Sequence, residues 1–147
     1  MEAAAAPRLQ ASVTLTVPFQ DADPSGAAWH GNYFRYFDAA RCALLDRLDY
    51  GYRAMAASGL VWPIVDTRVR FLRSVSFDQR LEVTASLEEW QYRLHIGYAI
   101  HDADGHRVTE GYTIQVPVDA ATGEMCFGMP AALYERIDGL VRAALDE

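Results

Sequence analysis

Two carboxylates two residues apart, Asp21 and Asp23, open a turn that leads straight into a long apolar segment. The run is Val17-Pro18-Phe19-Gln20-Asp21-Ala22-Asp23-Pro24-Ser25-Gly26-Ala27-Ala28-Trp29-His30-Gly31-Asn32-Tyr33. A carboxylate is thereby set close to the first amides of a helix. Those N–H groups have no partner within the helix and carry partial positive charge. They can hold a carbonyl oxygen while a neighbouring acid or base is aimed at its carbon. Turn chemistry offers a plainer account of the same residues. Asp23, Pro24 and Gly26 suit the first, second and fourth positions of a type I turn, where an Asp bonds its own backbone. Two like charges against a buried helix are costly unless hydrogen-bonded, and such groups have perturbed pKa values.

The elements that must position this turn are readable from periodicity. Residues 11–17 alternate as a half-buried strand, with Val13, Leu15 and Val17 on one face. From Asn32 to Leu48, Tyr33, Phe37, Ala40, Leu44 and Leu48 repeat at helical spacing, and Phe34, Tyr36 and Ala43 widen the stripe. Asn32 is the expected N-cap and Gly51 the expected terminator. A short second helix is predicted over residues 53–57. After Pro63 the period changes to two. Strands are predicted over residues 64–72, 80–90, 93–101 and 107–118, with a hairpin at Asp102-Ala103-Asp104-Gly105. A final amphipathic helix is predicted from Pro130 to Leu145. The order is strand, long helix, then four strands in hairpin succession. The simplest packing is an α+β fold in which one antiparallel five-stranded sheet wraps the long helix. The outer sheet face and the edge strands then need partners, which predicts a homodimer or homotetramer.

At 147 residues the chain is read as one domain over 1–147, with residues 1–10 expected to fray. The start lacks the basic segment and apolar core of a signal peptide. No apolar run approaches the ~20 residues that span a bilayer, so no membrane role is expected. Cys42 and Cys126 have no metal or disulfide spacing; Cys42 reads as a buried free thiol, and a cytoplasmic location follows. The net charge of -7 argues against a nucleic-acid partner. All 13 basic residues are arginines, whose forks suit phosphates. His95, His101 and His106 share no metal spacing, and neither a metal nor a cofactor is expected. No nucleophile elbow, zinc helix or phosphate loop is present.

The pattern D-x-D-P-x-G-x-x-W-x-x-N-Y, followed by an aromatic helix, resembles the 4-hydroxybenzoyl-CoA thioesterase family of hotdog-fold acyl-CoA thioesterases. The resemblance runs from about Val13 to Val118 and is most specific over residues 19–41. It implies the hotdog fold and hydrolysis of a thioester to a free acid and coenzyme A, with coenzyme A as part of the substrate and no further cofactor. It implies Asp23 as nucleophile or general base. It also implies the backbone amides of His30 and Gly31 as donors to the thioester carbonyl. Trp29, Asn32 and Tyr33 are then candidate substrate contacts. Arg68, Arg70 and Arg73 are candidates for the phosphates, against the plainer reading of a solvated strand face. An acyl carrier protein thioester would serve the same chemistry as acyl-CoA. Two departures stand out. Ser74 replaces a Pro, and Asp78-Gln79 replaces Gly-Asp, in the turn after the second strand. Two rival functions share such a scaffold: a hydroxyacyl-thioester dehydratase, and a non-catalytic acyl-thioester binding protein. The dehydratase needs a His with a Glu or Asp across a subunit interface, and the long helix has no Glu.

Overall fold

The computed structural model describes residues 9–145. Strand β1 (Gln10–Thr16) is followed by two 3-10 turns and the long helix α1 (Tyr33–Arg47). Then come α2 (Tyr52–Ala57), β2 (Leu60–Val61), β3 (Ile64–Phe71), β4 (Arg80–Glu89), β5 (Leu94–Asp102), β6 (Arg107–Gln115), β7 (Val118–Asp119) and α3 (Ala131–Leu145). The fraying expected over residues 1–10 lies outside the described residues as far as position 8. Leu9 is already buried and its carbonyl accepts from the Leu87 amide, and Gln10 begins β1.

Five strands form one antiparallel sheet in the order β1-β4-β5-β6-β3, and β2 pairs separately with β7. The expected hairpin succession therefore holds for β4, β5 and β6 only. Strand β3 pairs with β6, Arg68 facing Tyr112 and Arg70 facing Glu110, and the chain then returns across the sheet to β4 beside β1. A single strand placed between a helix and a hairpin carries no register signal, because its partner is chosen by which edge remains open. The β5–β6 turn is where the sequence puts it. Gly105 takes a positive φ of 83°, and the Asp102 carboxylate accepts from the Asp104 and His106 amides.

The inner face of the sheet grips α1. Leu81, Val83, Ala85 and Leu87 of β4 and Leu94, Ile96, Tyr98 and Ile100 of β5 are buried against Tyr33, Phe37, Ala40, Leu44 and Leu48. Phe37 is fully buried and stacks on Tyr98, centroids 4.4 Å apart and nearly parallel. The Tyr98 hydroxyl is satisfied by Thr113 at 2.8 Å. Phe34, expected on the apolar stripe, is exposed, and Cys42 is exposed rather than buried. Helix α3 adds Ile137 and Val141 to the same core.

Helix α1 ends without Gly51. Asp49 takes the left-handed conformation, φ 52°, while Tyr50 N–H bonds the Leu45 carbonyl and Asp49 N–H the Asp46 carbonyl. That is a Schellman motif closed by Asp instead of Gly. No described helix is long and apolar enough to cross a membrane.

Gly111 of β6 shows how tightly the grip is set. A Cβ there would lie 2.2 Å from the Arg68 carbonyl and 3.1 Å from the Phe37 ring. The Arg68 carbonyl belongs to the neighbouring strand and cannot swing aside, so Gly111→Ala should lower stability by about 1–3 kcal/mol in urea denaturation. A stability within ~0.5 kcal/mol of the parent would contradict this packing.

Candidate active site

The loop from Pro18 to Trp29 is held by both of its neighbours. Toward the β3–β4 connection it is zipped by backbone bonds. Ala28 N–H donates to the Val75 carbonyl at 2.7 Å, Asp78 N–H to Val17, and Phe77 N–H to Gly26. Asp78 adopts φ 70°, so an Asp supplies the left-handed position for which the resembling family uses Gly.

Toward α1 the loop is tied by Asp21. This carboxylate is 3% exposed, and both its oxygens are spent on the helix. Oδ1 accepts from Arg35 Nη2 at 2.5 Å and Oδ2 from the Tyr36 hydroxyl at 2.7 Å. The backbone carbonyl of Asp21 accepts from the Trp29 amide at 2.9 Å and from Asn32 Nδ2 at 2.8 Å. Asn32 Oδ1 in turn accepts from Arg35. Asn32 stands at the N-cap position, but its side chain makes no cap bond and braces the loop instead. Burial above all raises the Tyr36 phenol, and the Asp21 hydrogen bond and charge raise it further. It stays a protonated donor across the working pH range.

Asp23 shapes its own turn. Its Oδ1 accepts from the Ser25 hydroxyl at 2.5 Å and the Ser25 amide at 2.8 Å, and Gly26 closes the turn with φ 88°. The Ser25 hydroxyl first, then the Ser25 amide, hold this carboxyl below its ordinary range. It is a carboxylate at neutral pH.

The 3-10 turn His30–Asn32 runs directly into α1. The amides on either side are used: Trp29 N–H goes to Asp21 and Asn32 N–H to Trp29. The His30 and Gly31 amides between them make no hydrogen bond among the described residues. A cleft of about 490 Å³ opens here. Asp23, Ser25, His30 and Tyr33 line it from one side, and Phe71, Arg73 and Ser74 from the other. Tyr33 is buried and meets Phe71 edge to face at 4.9 Å. Trp29 is 52% exposed; its ring lies over Gly31, where a Cβ would come within 2.3 Å of it, and tilts against the His30 ring.

The structure thus brings Asp23, His30, Tyr33 and Arg73 to one cleft, with Gly31 and Trp29 at its edge. It does not bring Arg68 and Arg70 there. They open onto a groove on the outer sheet face, where Arg70 pairs with Glu110 at 3.5 Å. Ser25, Arg35, Tyr36 and Phe71 escaped the sequence reading. Arg35 and Tyr36 follow Asn32 by three and four residues, the helical spacing that returns a side chain to the helix start, and this was the available signal. Asp38 lies in the second turn of α1, paired with Arg41 at 2.8 Å. Among the described residues, the side chains spaced to hold a metal are Asp102, Asp104 and His106, in the β5–β6 hairpin and outside the cleft.

Residues 17–137 match the thioesterase-like superfamily. The chain belongs to that superfamily. It is 29% identical over 117 residues to 1,4-dihydroxy-2-naphthoyl-CoA hydrolase of Thermosynechococcus vestitus, covering 78% of this chain and 74% of that one. It is 30% identical over 89 residues to 4-hydroxybenzoyl-CoA thioesterase of a Pseudomonas species, covering 54% and 60%. Its structure is similar to that of DHNA-CoA thioesterase from Staphylococcus aureus, with a TM-score of 0.81 over 93% of each chain at 21% identity. It is also similar to a mutant 4-hydroxybenzoyl-CoA thioesterase complexed with 4-hydroxybenzoyl-CoA, with a TM-score of 0.72 over 88% of this chain and 99% of that one at 21% identity. The fold is the hotdog fold that the motif implied.

The Asp21 network predicts its own energetics. Tyr36→Phe leaves Asp21 Oδ2 buried without its donor, which should cost about 1–3 kcal/mol in urea unfolding. Because the phenol does not ionise at working pH, that loss should be the same at pH 6 and pH 8, roughly two to four units below even an unperturbed tyrosine. A loss below ~0.5 kcal/mol would show that this bond does not anchor the loop.

Proposed function

We propose that the protein is an acyl-CoA thioesterase that hydrolyses a thioester to a free acid and coenzyme A. The observation that carries the reading is the cleft itself. An ionised Asp23 shares it with the start of a helix whose His30 and Gly31 amides are unspent. A thioester carbonyl gains negative charge as it is attacked, and two amides aimed at its oxygen stabilise that charge. The superfamily membership and the CoA-thioester names of two relatives support the substrate class. The dehydratase alternative gains nothing from the cleft, because the carboxylate there sits on the loop and α1 adds no Glu.

Asp23 is the reacting carboxylate. The Ser25 bonds keep it ionised and fixed, ready to attack the carbonyl carbon or to take a proton from water. In direct attack, an Asp23 oxygen bonds the carbonyl carbon and the carbon–sulfur bond breaks. The thiolate of coenzyme A leaves, and water then cleaves the resulting anhydride. Trp29 and Tyr33 flank the acyl group. Arg73, which also lines the cleft, is the arginine assigned to the phosphates of coenzyme A. The exposed apolar side chains of β3 away from the cleft, Ile64 and Val65, together with its open edge, are assigned to a subunit contact in a homodimer or homotetramer.

Asp23→Asn preserves turn-forming ability and removes the charge. Turnover should fall at least ~10²-fold on the best substrate of a thioester panel, with an unchanged melting temperature. Retention of more than about a third of parental kcat would sink the assignment. The acid limb of kcat/KM is set by the same group. The charged form persists to lower pH than in a free Asp, so activity should be level from neutral pH down to about 5 and fall only below the ordinary value of 3.8.

For Arg73→Ala, KM for a CoA thioester should rise severalfold with little change in kcat. The effect should vanish with a truncated thioester that lacks the nucleotide. Equal effects on both substrates would remove Arg73 from phosphate binding. Arg70→Ala, on the outer face, serves as the comparison.

A further inference from the structure

The D-x-D motif offers four carboxylate oxygens, and the structure spends three of them. Both oxygens of Asp21 go to α1, Oδ1 to Arg35 and Oδ2 to Tyr36. Asp23 is bonded on one side only. The Ser25 hydroxyl at 2.5 Å and the Ser25 amide at 2.8 Å both donate to Oδ1. The Ala27 amide pulls on the same carboxylate more weakly, and no donor forms a hydrogen bond to Oδ2 among the described residues. His30 of the 3-10 turn, Tyr33 of α1 and Arg73 of the β3–β4 connection share the cleft with Asp23, and none of them bonds its carboxylate.

The local sequence accounts for this asymmetry. Pro24 has no N–H, so the first amide that can reach back to the carboxylate is that of Ser25. The Ser25 hydroxyl then adds a second donor to the same oxygen. The turn itself closes without that hydroxyl. Asp23 N–H donates to the Ala27 carbonyl at 2.8 Å, and Gly26 N–H to the Asp23 carbonyl at 2.9 Å. The hydroxyl bond is therefore surplus to the backbone of the turn and acts on the carboxylate alone. The terminal torsion of an Asp is broad and two-fold, so a carboxylate held by one bond can exchange its oxygens. Two donors on Oδ1 arrest that exchange and keep Oδ2 open.

We infer that Ser25 is a positioning residue: its hydroxyl, with its amide, commits Oδ1 to the turn and leaves Oδ2 as the single reacting oxygen of Asp23. The inference rests on the thioesterase reading above. It holds whether Oδ2 attacks the carbonyl carbon or takes a proton from water, since either task needs one lone pair aimed from a fixed carboxylate. Ser25 acts through Asp23 and has no separate part in the reaction.

The test measures kcat, KM and the acid limb of kcat/KM for Ser25→Ala on the best substrate of a thioester panel. The kcat should fall about 10-fold, the scale of a hydrogen bond to a charged group, with KM little changed. The acid limb should move up toward the ordinary value of 3.8, because the hydroxyl is the strongest of the bonds that hold Asp23 below it. Ser25→Thr, which keeps a hydroxyl, should recover most of the lost kcat. Asp23→Asn combined with Ser25→Ala should be no slower than Asp23→Asn alone, since groups that act as a unit are not additive. A kcat for Ser25→Ala within about twofold of the parent overturns the inference, as does an acid limb that stays in place. A double variant clearly slower than Asp23→Asn overturns it too. A lower melting temperature with kcat and acid limb unmoved makes Ser25 a turn-former only, which also overturns it. Each of these results leaves the Asp23 assignment standing. An Asp23→Asn variant that keeps more than about a third of parental kcat, or no thiol release from any thioester, overturns both.

Discussion

The Asp21 carboxylate is buried where the loop meets α1, and its two oxygens are taken by consecutive residues of that helix, Arg35 and Tyr36. A buried charge has to be satisfied in full, so the loop has one permitted placement against the helix start. Its backbone carbonyl extends the constraint by fixing the Trp29 amide and the Asn32 side chain. The two amides left over, those of His30 and Gly31, are therefore free because their neighbours are bound. The candidate chemistry depends on this arrangement more than on the shape of the cleft.

The helix can serve as such an anchor because the sheet holds it still. Phe37 stacked on Tyr98, with no room for a Cβ on Gly111, fixes the rotation of α1 about its axis. Rotation decides which flank faces β1 and β4 and which is left toward α2 and β6. On the first flank Phe37, Ala40 and Leu44 are buried in the core, and Arg47 at the helix end bonds the Gln10 carbonyl of β1. On the second the structure leaves Cys42 exposed and pairs Arg41 with Asp38. One helix therefore packs the core along one side, and the turn that leads into it offers the His30 and Gly31 amides.

Asp23 reconciles two accounts of the same residue. The Ser25 bonds that make it a turn-former also keep it ionised. A turn that is rigid and a carboxylate that is charged are the two properties an attacking group needs, since a floating side chain would lose the benefit of position. The turn chemistry thus supplies the geometry for the proposed reaction instead of competing with it.

The sequence by itself determined the elements and the reactive turn. Periodicity marked α1, the three consecutive strands β4 to β6 and the hairpin at Gly105, because those signals are local: a face buried every second or every 3.6 residues. The D-x-D motif marked the loop, because Pro24 fixes its own φ and Gly26 admits the positive φ that a turn needs, regardless of context. Tertiary structure decided what local pattern does not encode. It sent β3 to the far edge beside β6, and with it Arg68 and Arg70 to the outer face while Arg73 reached the cleft. It exposed Cys42 and Phe34, whose apolar character alone suggested burial, because sheet contact covers only part of the circumference of α1. It ended α1 on a left-handed Asp49 ahead of the expected terminator Gly51, and it put Asp78 in a left-handed position too, since the surrounding bonds offset the cost. And it buried Asp21 between Arg35 and Tyr36, a pairing that exists only once loop and helix meet, because a carboxylate's partners are set by what surrounds it in space and not by its neighbours along the chain.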